Sequence, residues 1–111
     1  MNISQVISQL QLQSLHDCWD DGPLSGAYTS DLMSDVMAHA KEADLLITIQ
    51  SHKNTIAVAT LVGAQGVIVC NNRPVPEDML AAARQENIAI LVSREDQFSV
   101  SGRLYNLLRG E

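Results

Sequence analysis

At 111 residues the chain is long enough for one domain with one hydrophobic core, since domains cluster at roughly 100–150 residues. Hydrophobic residues make up 46% and charged ones only 18%, below the roughly 25% charged of an average domain, so charged surface is limited and self-association is expected to cover part of the apolar excess. The formal net charge is −6, with the seven Lys and Arg scattered. That balance excludes sequence-independent nucleic-acid binding and adhesion to anionic membranes, because both need basic residues to neutralise phosphate.

The N-terminus MNISQVISQLQLQ lacks the basic start and apolar centre of a signal peptide, and no run reaches the ~18–20 apolar residues that span a bilayer. A cytoplasmic location is the expectation. Cys18 and Cys70 stand far apart without CxxC or metal-ligand spacing, which reads as two ordinary thiols in a reducing compartment.

In chain order, Ile3, Val6, Ile7 and Leu10 recur at helical spacing and predict a short amphipathic helix over Met1–Leu10. Gln11–Trp19 has no clear period and reads as an edge strand. Asp20-Asp21-Gly22-Pro23 is a turn signal, because Asp bonds its own backbone and Gly tolerates positive φ. Leu24–Tyr28 reads as a short extended segment. A helix is predicted over Ser30–Lys41, with Ser30 or Thr29 as N-cap: Leu32, Met33, Val36, Met37 and Ala40 share one face, and Asp31, Ser34 and Asp35 turn to the other.

From Asp44 onward the pattern alternates cleanly. Leu45–Ile49, Gly66–Cys70 and Ile88–Val92 are continuous apolar runs of strand length. Asn54–Gly63, Pro76–Asn87 and Glu95–Leu108 read as helices between and after them. Strands apolar throughout are covered on both faces, and strand–helix alternation gives parallel strands with right-handed crossovers. The expected fold class is therefore α/β: one compact domain over 1–111, with a small, mainly parallel sheet flanked by helices. Ser93-Arg94-Glu95-Asp96 resembles a capping box, and Gly63 marks a helix stop. Gly102 lies inside a helical pattern, where glycine costs about 1 kcal/mol against Ala, so close packing is expected there. The Asn54–Ala64 helix is apolar on nearly every side through Ile56, Ala57, Val58, Ala59, Leu61 and Val62. Such a helix is buried all round, and a symmetric partner is its expected second cover.

Ligands of parallel α/β sheets bind outside the carboxyl ends of the strands. That rule selects Thr48, Gln50, Ser51, His52 and Asn54 after the first clean strand, Asn71, Asn72 and Arg73 after the second, and Ser93, Arg94 and Glu95 after the third. The set is amide-rich and nearly uncharged. It suits hydrogen bonding to a small ligand, with one phosphate held by His52, Arg73 and helix amides. The same residue types are also preferred as caps and turns for backbone reasons alone. His16, His39 and His52 are single histidines outside HExxH, GxSxG or metal-ligand patterns, and neither GxxxxGK[ST] nor GxGxxG occurs. Asp31 and Asp35 offer a carboxylate pair of the kind that can hold Mg²⁺ with phosphate, but their place near a helix start favours solvated groups on the helix dipole.

Three stretches, Gly26–Met37, Ile47-Thr48-Ile49-Gln50 and Gly102-Arg103-Leu104-Tyr105, together with the pattern from Ser25 to Leu108, resemble the DRTGG domain family. The naming motif is degenerate. Pro23-Leu24-Ser25-Gly26-Ala27 stands where the family has Asp-Arg-Thr-Gly-Gly, so no role tied to that Asp or Arg carries over. The resemblance implies a compact α/β domain similar to the N-terminal domain of HPr kinase/phosphorylase, used as an accessory module in phosphotransacetylase-like and CBS-containing proteins. It also implies frequent dimers, near iron-only hydrogenase and redox signalling components of anaerobic bacteria. The kinase P-loop belongs to a different domain.

The expected function is thus a non-catalytic regulatory or small-ligand-binding domain, a homodimer through the Asn54–Ala64 region, with no cofactor and no metal. Its expected ligand is a small anionic metabolite or nucleotide near Thr48, Gln50, His52, Asn54 and Asn72, joined by Ser30 and Asp31 if the Gly26–Ser30 turn faces that edge. The alternatives are a scaffold subunit of a redox or hydrogenase-related system and, on weaker motif grounds, a phosphoryl- or acyl-transfer enzyme.

Overall fold

The computed structural model describes residues 1–110. Its elements are α1 (Ile3–Leu10), β1 (Gln13–Ser14), β2 (Gly26–Thr29), α2 (Met33–His39), β3 (Asp44–Thr48), α3 (Lys53–Val62), β4 (Gly66–Val69), α4 (Glu77–Glu86), β5 (Ala89–Val92) and α5 (Gln97–Arg109). The five strands form one sheet in the order β1-β5-β4-β3-β2. β2 through β5 run parallel, and β1 joins β5 antiparallel. The sheet is therefore mixed where a mainly parallel one was expected. The chain reaches the β5 edge from Leu10 through a short connection, which brings β1 in against the direction of β5.

Strand pleating divides the core in two. Leu45, Ile47, Ile68, Cys70, Ala89 and Leu91 point to one face, where Ile3, Val6 and Leu10 of α1 and Val100 and Leu104 of α5 cover them. Leu46, Val67, Val69 and Ile90 point to the other, under Val36 of α2, Ile56, Val58 and Ala59 of α3, and Met79 and Ala83 of α4. The grouping follows from handedness. Three successive right-handed crossovers stepping the same way along a sheet put all three helices on one face.

Several local expectations need correction. α2 begins at Met33, not Ser30, and Leu32 takes the N-cap position without a side-chain bond. Ser30 Oγ accepts Leu32 N–H at 3.1 Å in a tight turn, while Thr29 ends β2 and shares a 2.8 Å hydrogen bond with Ser101. α5 is capped by Asp96, whose carboxylate accepts Ser99 N–H. Gly102 is exposed, and a Cβ built there would meet nothing within 4 Å, so close packing does not explain it. α3 buries Thr55, Ile56, Val58 and Ala59 within the chain, whereas Ala57, Thr60 and Leu61 face outward. Gly63 ends that helix in the left-handed region at φ 75° as expected.

Candidate functional site

Adjacent parallel strands whose following helices go to opposite faces leave a crevice at their carboxyl ends. β4 and β5 are such a pair, because β4 leads to α4 on one face and β5 leads to α5 on the other. A groove of about 490 Å³ opens there, lined by Asn72 from the β4 loop, Ser93, Arg94 and Glu95 from the β5 loop, Arg103 from α5, and the Leu10–Gln13 connection. The loops are held by backbone bonds, Asn71 N–H to Glu95 O at 2.9 Å and Asn72 N–H to Ser93 O at 2.7 Å. Both asparagines take positive φ, 61° and 49°, a conformation that Asn tolerates better than most residues. Arg103 is fixed in the wall, with Nη1 donating to Glu95 at 2.7 Å and Nη2 to Gln9 O at 3.1 Å. Arg94 is exposed and has no acidic partner among the described residues.

The predicted site residues after β3 fall into two groups. Asp31 reaches from the β2–α2 loop over the end of β3, and its Oδ1 accepts Thr48 Oγ1–H, Ile49 N–H and Gln97 Nε2–H, each at 2.9 Å. Thr48 is buried and passes the chain of bonds on, since its Oγ1 accepts Gln50 N–H at 3.0 Å. Ser30 stands next to this knot, with its N–H on Ile47 O. Asp31, Thr48 and the Gln50 backbone are thus joined to each other and to α5. His52 and Asn54 lie apart from them, exposed at the start of α3, where the His52 side chain makes no capping bond. Ser51 is buried, and its hydroxyl donates to Pro74 O at 2.6 Å, tying the β3 loop to the β4 loop. Of the expected ligand contacts Thr48, Gln50, His52, Asn54, Asn72, Ser30 and Asp31, Asn72 alone borders the groove, where it meets Ser93, Arg94 and Glu95 from the adjacent strand end.

Arg103, Gln11 and Gln13 belong to the groove without having been foreseen. Gln11 and Gln13 sit in a connection with no period, and Arg103 is one polar position on a long helix, so only tertiary proximity reveals them. Asp35 is separate from Asp31. Tyr28 OH donates to its Oδ2 at 2.8 Å and His39 Nδ1 donates to Oδ1 at 3.0 Å, and these bonds, the Tyr28 hydroxyl first, hold its carboxyl below the usual range. His16 is a core histidine, with Nε2–H on Ile88 O at 2.7 Å and Nδ1 accepting Cys18 N–H at 2.9 Å. Among the described residues no three His, Cys, Asp or Glu side chains converge as a metal-binding group, and no helix is long and apolar enough to cross a membrane.

No curated protein matches the chain. Among solved structures, the CBS and DRTGG domains of the regulatory region of Clostridium perfringens pyrophosphatase, complexed with the activator diadenosine tetraphosphate, share the fold with a TM-score of 0.73 and 12% identity. The superposition takes in 92% of this chain and 45% of that one, so the chain spans less than half the length of its structural relative. The DRTGG domain family itself matches residues 26–107, from the first residue of β2 to within two residues of the end of α5. With that much of the sheet and its covering helices inside the match, the chain belongs to the DRTGG domain family.

Proposed function

We propose that this chain is a non-catalytic regulatory domain that binds a small anionic metabolite or nucleotide in the β4/β5 crevice and acts as a cytoplasmic homodimer. The crevice carries the reading. It lies where open α/β sheets receive ligands, and it presents the Arg94 guanidinium, which has no acidic partner among the described residues, beside Asn72, Ser93, Gln11 and Gln13. A planar guanidinium with neighbouring amides and a hydroxyl suits a phosphate or carboxylate joined to a polar body. The pyrophosphatase relative, a regulatory region complexed with a nucleotide activator, supports the same class of ligand. His52 and Asn54 would form an outlying part of the site, and the Asp31, Thr48 and Ser30 knot would position the β3 loop beside it.

Thermal shift and calorimetry with AMP, ATP, diadenosine tetraphosphate and acetyl phosphate test this. At least one should raise the melting temperature in proportion to the logarithm of its concentration, and Arg94→Ala should remove the rise without lowering the melting temperature of the free chain. No shift with any of them at millimolar concentration would refute the ligand. Support for the homodimer comes from Leu61, 71% exposed on the outer side of α3, next to a groove of about 390 Å³ between α3 and α4 lined by Ile56, Ala57, Thr60 and Ala82. Sedimentation should show a dimer that Leu61→Asp converts to monomer.

A further inference from the structure

β2 ends one side of the sheet with Gly26-Ala27-Tyr28-Thr29, a strand without charge or proline. The opposite outer strand, β1, is only two residues long. Proteins ordinarily shield outer strands by keeping them very short or by adding Lys, Pro or a bulge, and β2 has none of those side-chain guards. Ser25 N–H donates to Ala43 O at 2.9 Å. The parallel register runs unbroken from Gly26↔Asp44 to Thr29↔Ile47. Past the irregular start at Ala43, which takes φ 67°, alternate residues of a parallel ladder face the neighbour. Ser30 N–H donates to Ile47 O at 3.2 Å, so Gly26 and Tyr28 bond toward β3 while the N–H and C=O of Ala27 and Thr29 turn outward.

A groove runs along each face of this strand. On the α5 face, about 390 Å³ is bounded by Ala27, Thr29, Ile47, Tyr105, Leu108 and Arg109. On the α2 face, about 320 Å³ is bounded by Gly26, Tyr28, His39, Lys41 and Asp44. We propose that β2 is a docking edge for an extended segment of a partner protein, which adds to the sheet as a further strand and seats alternate side chains, apolar on the α5 face and acidic on the α2 face. Strand addition of this kind draws affinity from main-chain bonds and specificity from pockets for alternate residues.

The residue classes follow from the linings. Ile47, Tyr105 and Leu108 offer an apolar floor, while Lys41 has no acidic side-chain partner among the described residues. The Asp44 carboxylate nearby is already held by Lys41 N–H at 2.8 Å, and Asp35 is held by Tyr28 and His39. A second copy pairing through its own β2 fits less well. Its Ala27 and Thr29 side chains would enter the α5-face groove, and both are too small to fill it.

The probe is a short fluorescent peptide alternating Phe and Glu, titrated into the full chain by anisotropy. Binding should saturate, and N-methylation of alternate peptide nitrogens should weaken it by roughly tenfold or more in one phase and little in the other. Ala27→Arg, which fills the apolar groove, and Lys41→Glu should each weaken it comparably, with circular dichroism confirming their folds. Absence of saturation at millimolar peptide, or equal affinity for both N-methylated phases, overturns the proposal whether or not the variants fold. Sedimentation of the free chain supplies the remaining arm: a dimer dissolved by Ala27→Arg assigns the edge to a second copy and overturns it, whereas an unchanged oligomeric state supports it.

Discussion

Asp31 shows what one side chain does here that its sequence context hides. Its helical spacing with Asp35 suggested a solvated pair, yet one oxygen gathers donors from β3 and from Gln97, 66 positions away, and no local pattern reports such a partner. Asp31→Ala leaves the buried Thr48 hydroxyl and the Ile49 N–H without their acceptor, so urea denaturation should show a loss of about 2 kcal/mol or more. Asp31→Asn, which keeps an acceptor oxygen, should lose distinctly less. The cysteines behave oppositely to each other. Burial first, then the negative charges of Asp31, Asp96 and Glu95, push the Cys70 thiol up to about 12, while Cys18 is exposed. A thiol reagent should therefore modify one cysteine of the native protein rapidly, and the second only at the rate of unfolding. Chain direction alone places Asn72, Ser93, Arg94 and Glu95 at the carboxyl edge of the sheet, so that neighbourhood was legible, whereas the expected ligand cluster of Thr48, Gln50, His52, Asn54 and Asn72 is divided, with only Asn72 on the groove. Arg103 was not legible, because nothing along α5 marks the one turn that faces Glu95.

At the scale of elements, the three apolar runs and the helices between them were readable because fully covered strands leave no polar alternation. The start of α2 was not. Ser30 and Thr29 have capping side chains, but the turn uses Ser30 for a local bond and the sheet uses Thr29, and tertiary demands override the preference. Two glycines measure the same point by substitution. Gly66 begins β4 between β3 and β5, and a Cβ there would lie 3.0 Å from the Ala89 Cβ and 3.1 Å from Leu45 Cδ2. Gly66→Ala should cost about 1–3 kcal/mol through overpacking. Gly102 has open space at the same atom, so Gly102→Ala should stabilise α5 by roughly 0.5–1 kcal/mol. Thermal denaturation of the two variants should therefore shift in opposite directions.

Across the whole molecule, three carboxylates fasten distant or terminal structure: Asp21 on the Ser4 hydroxyl, Asp35 on Tyr28, and Asp96 on Ser99 N–H. Each is held below the ordinary value of 3.8 by that bond. The unfolded chain then takes up these protons before the folded one does. The stability they confer is present in full above 3.8 and disappears as pH falls through the lower folded values. Melting temperature measured against pH should be flat above that point and drop below it, with a shallower drop in Asp96→Asn, which keeps the cap without the titration. The sheet order adds a kinetic consequence. β2 to β5 pair with their successors, a sequence of local steps, but β1 meets β5 through Gln13↔Val92, and α1 lies against α5 with Arg103 on Gln9 O. α1 therefore completes its packing only once α5 has formed, 94 positions later in the chain at the Arg103–Gln9 contact. Contacts so far apart in sequence form slowly, so refolding should leave the α1 amides unprotected from hydrogen exchange after those of β3 and β4 have closed.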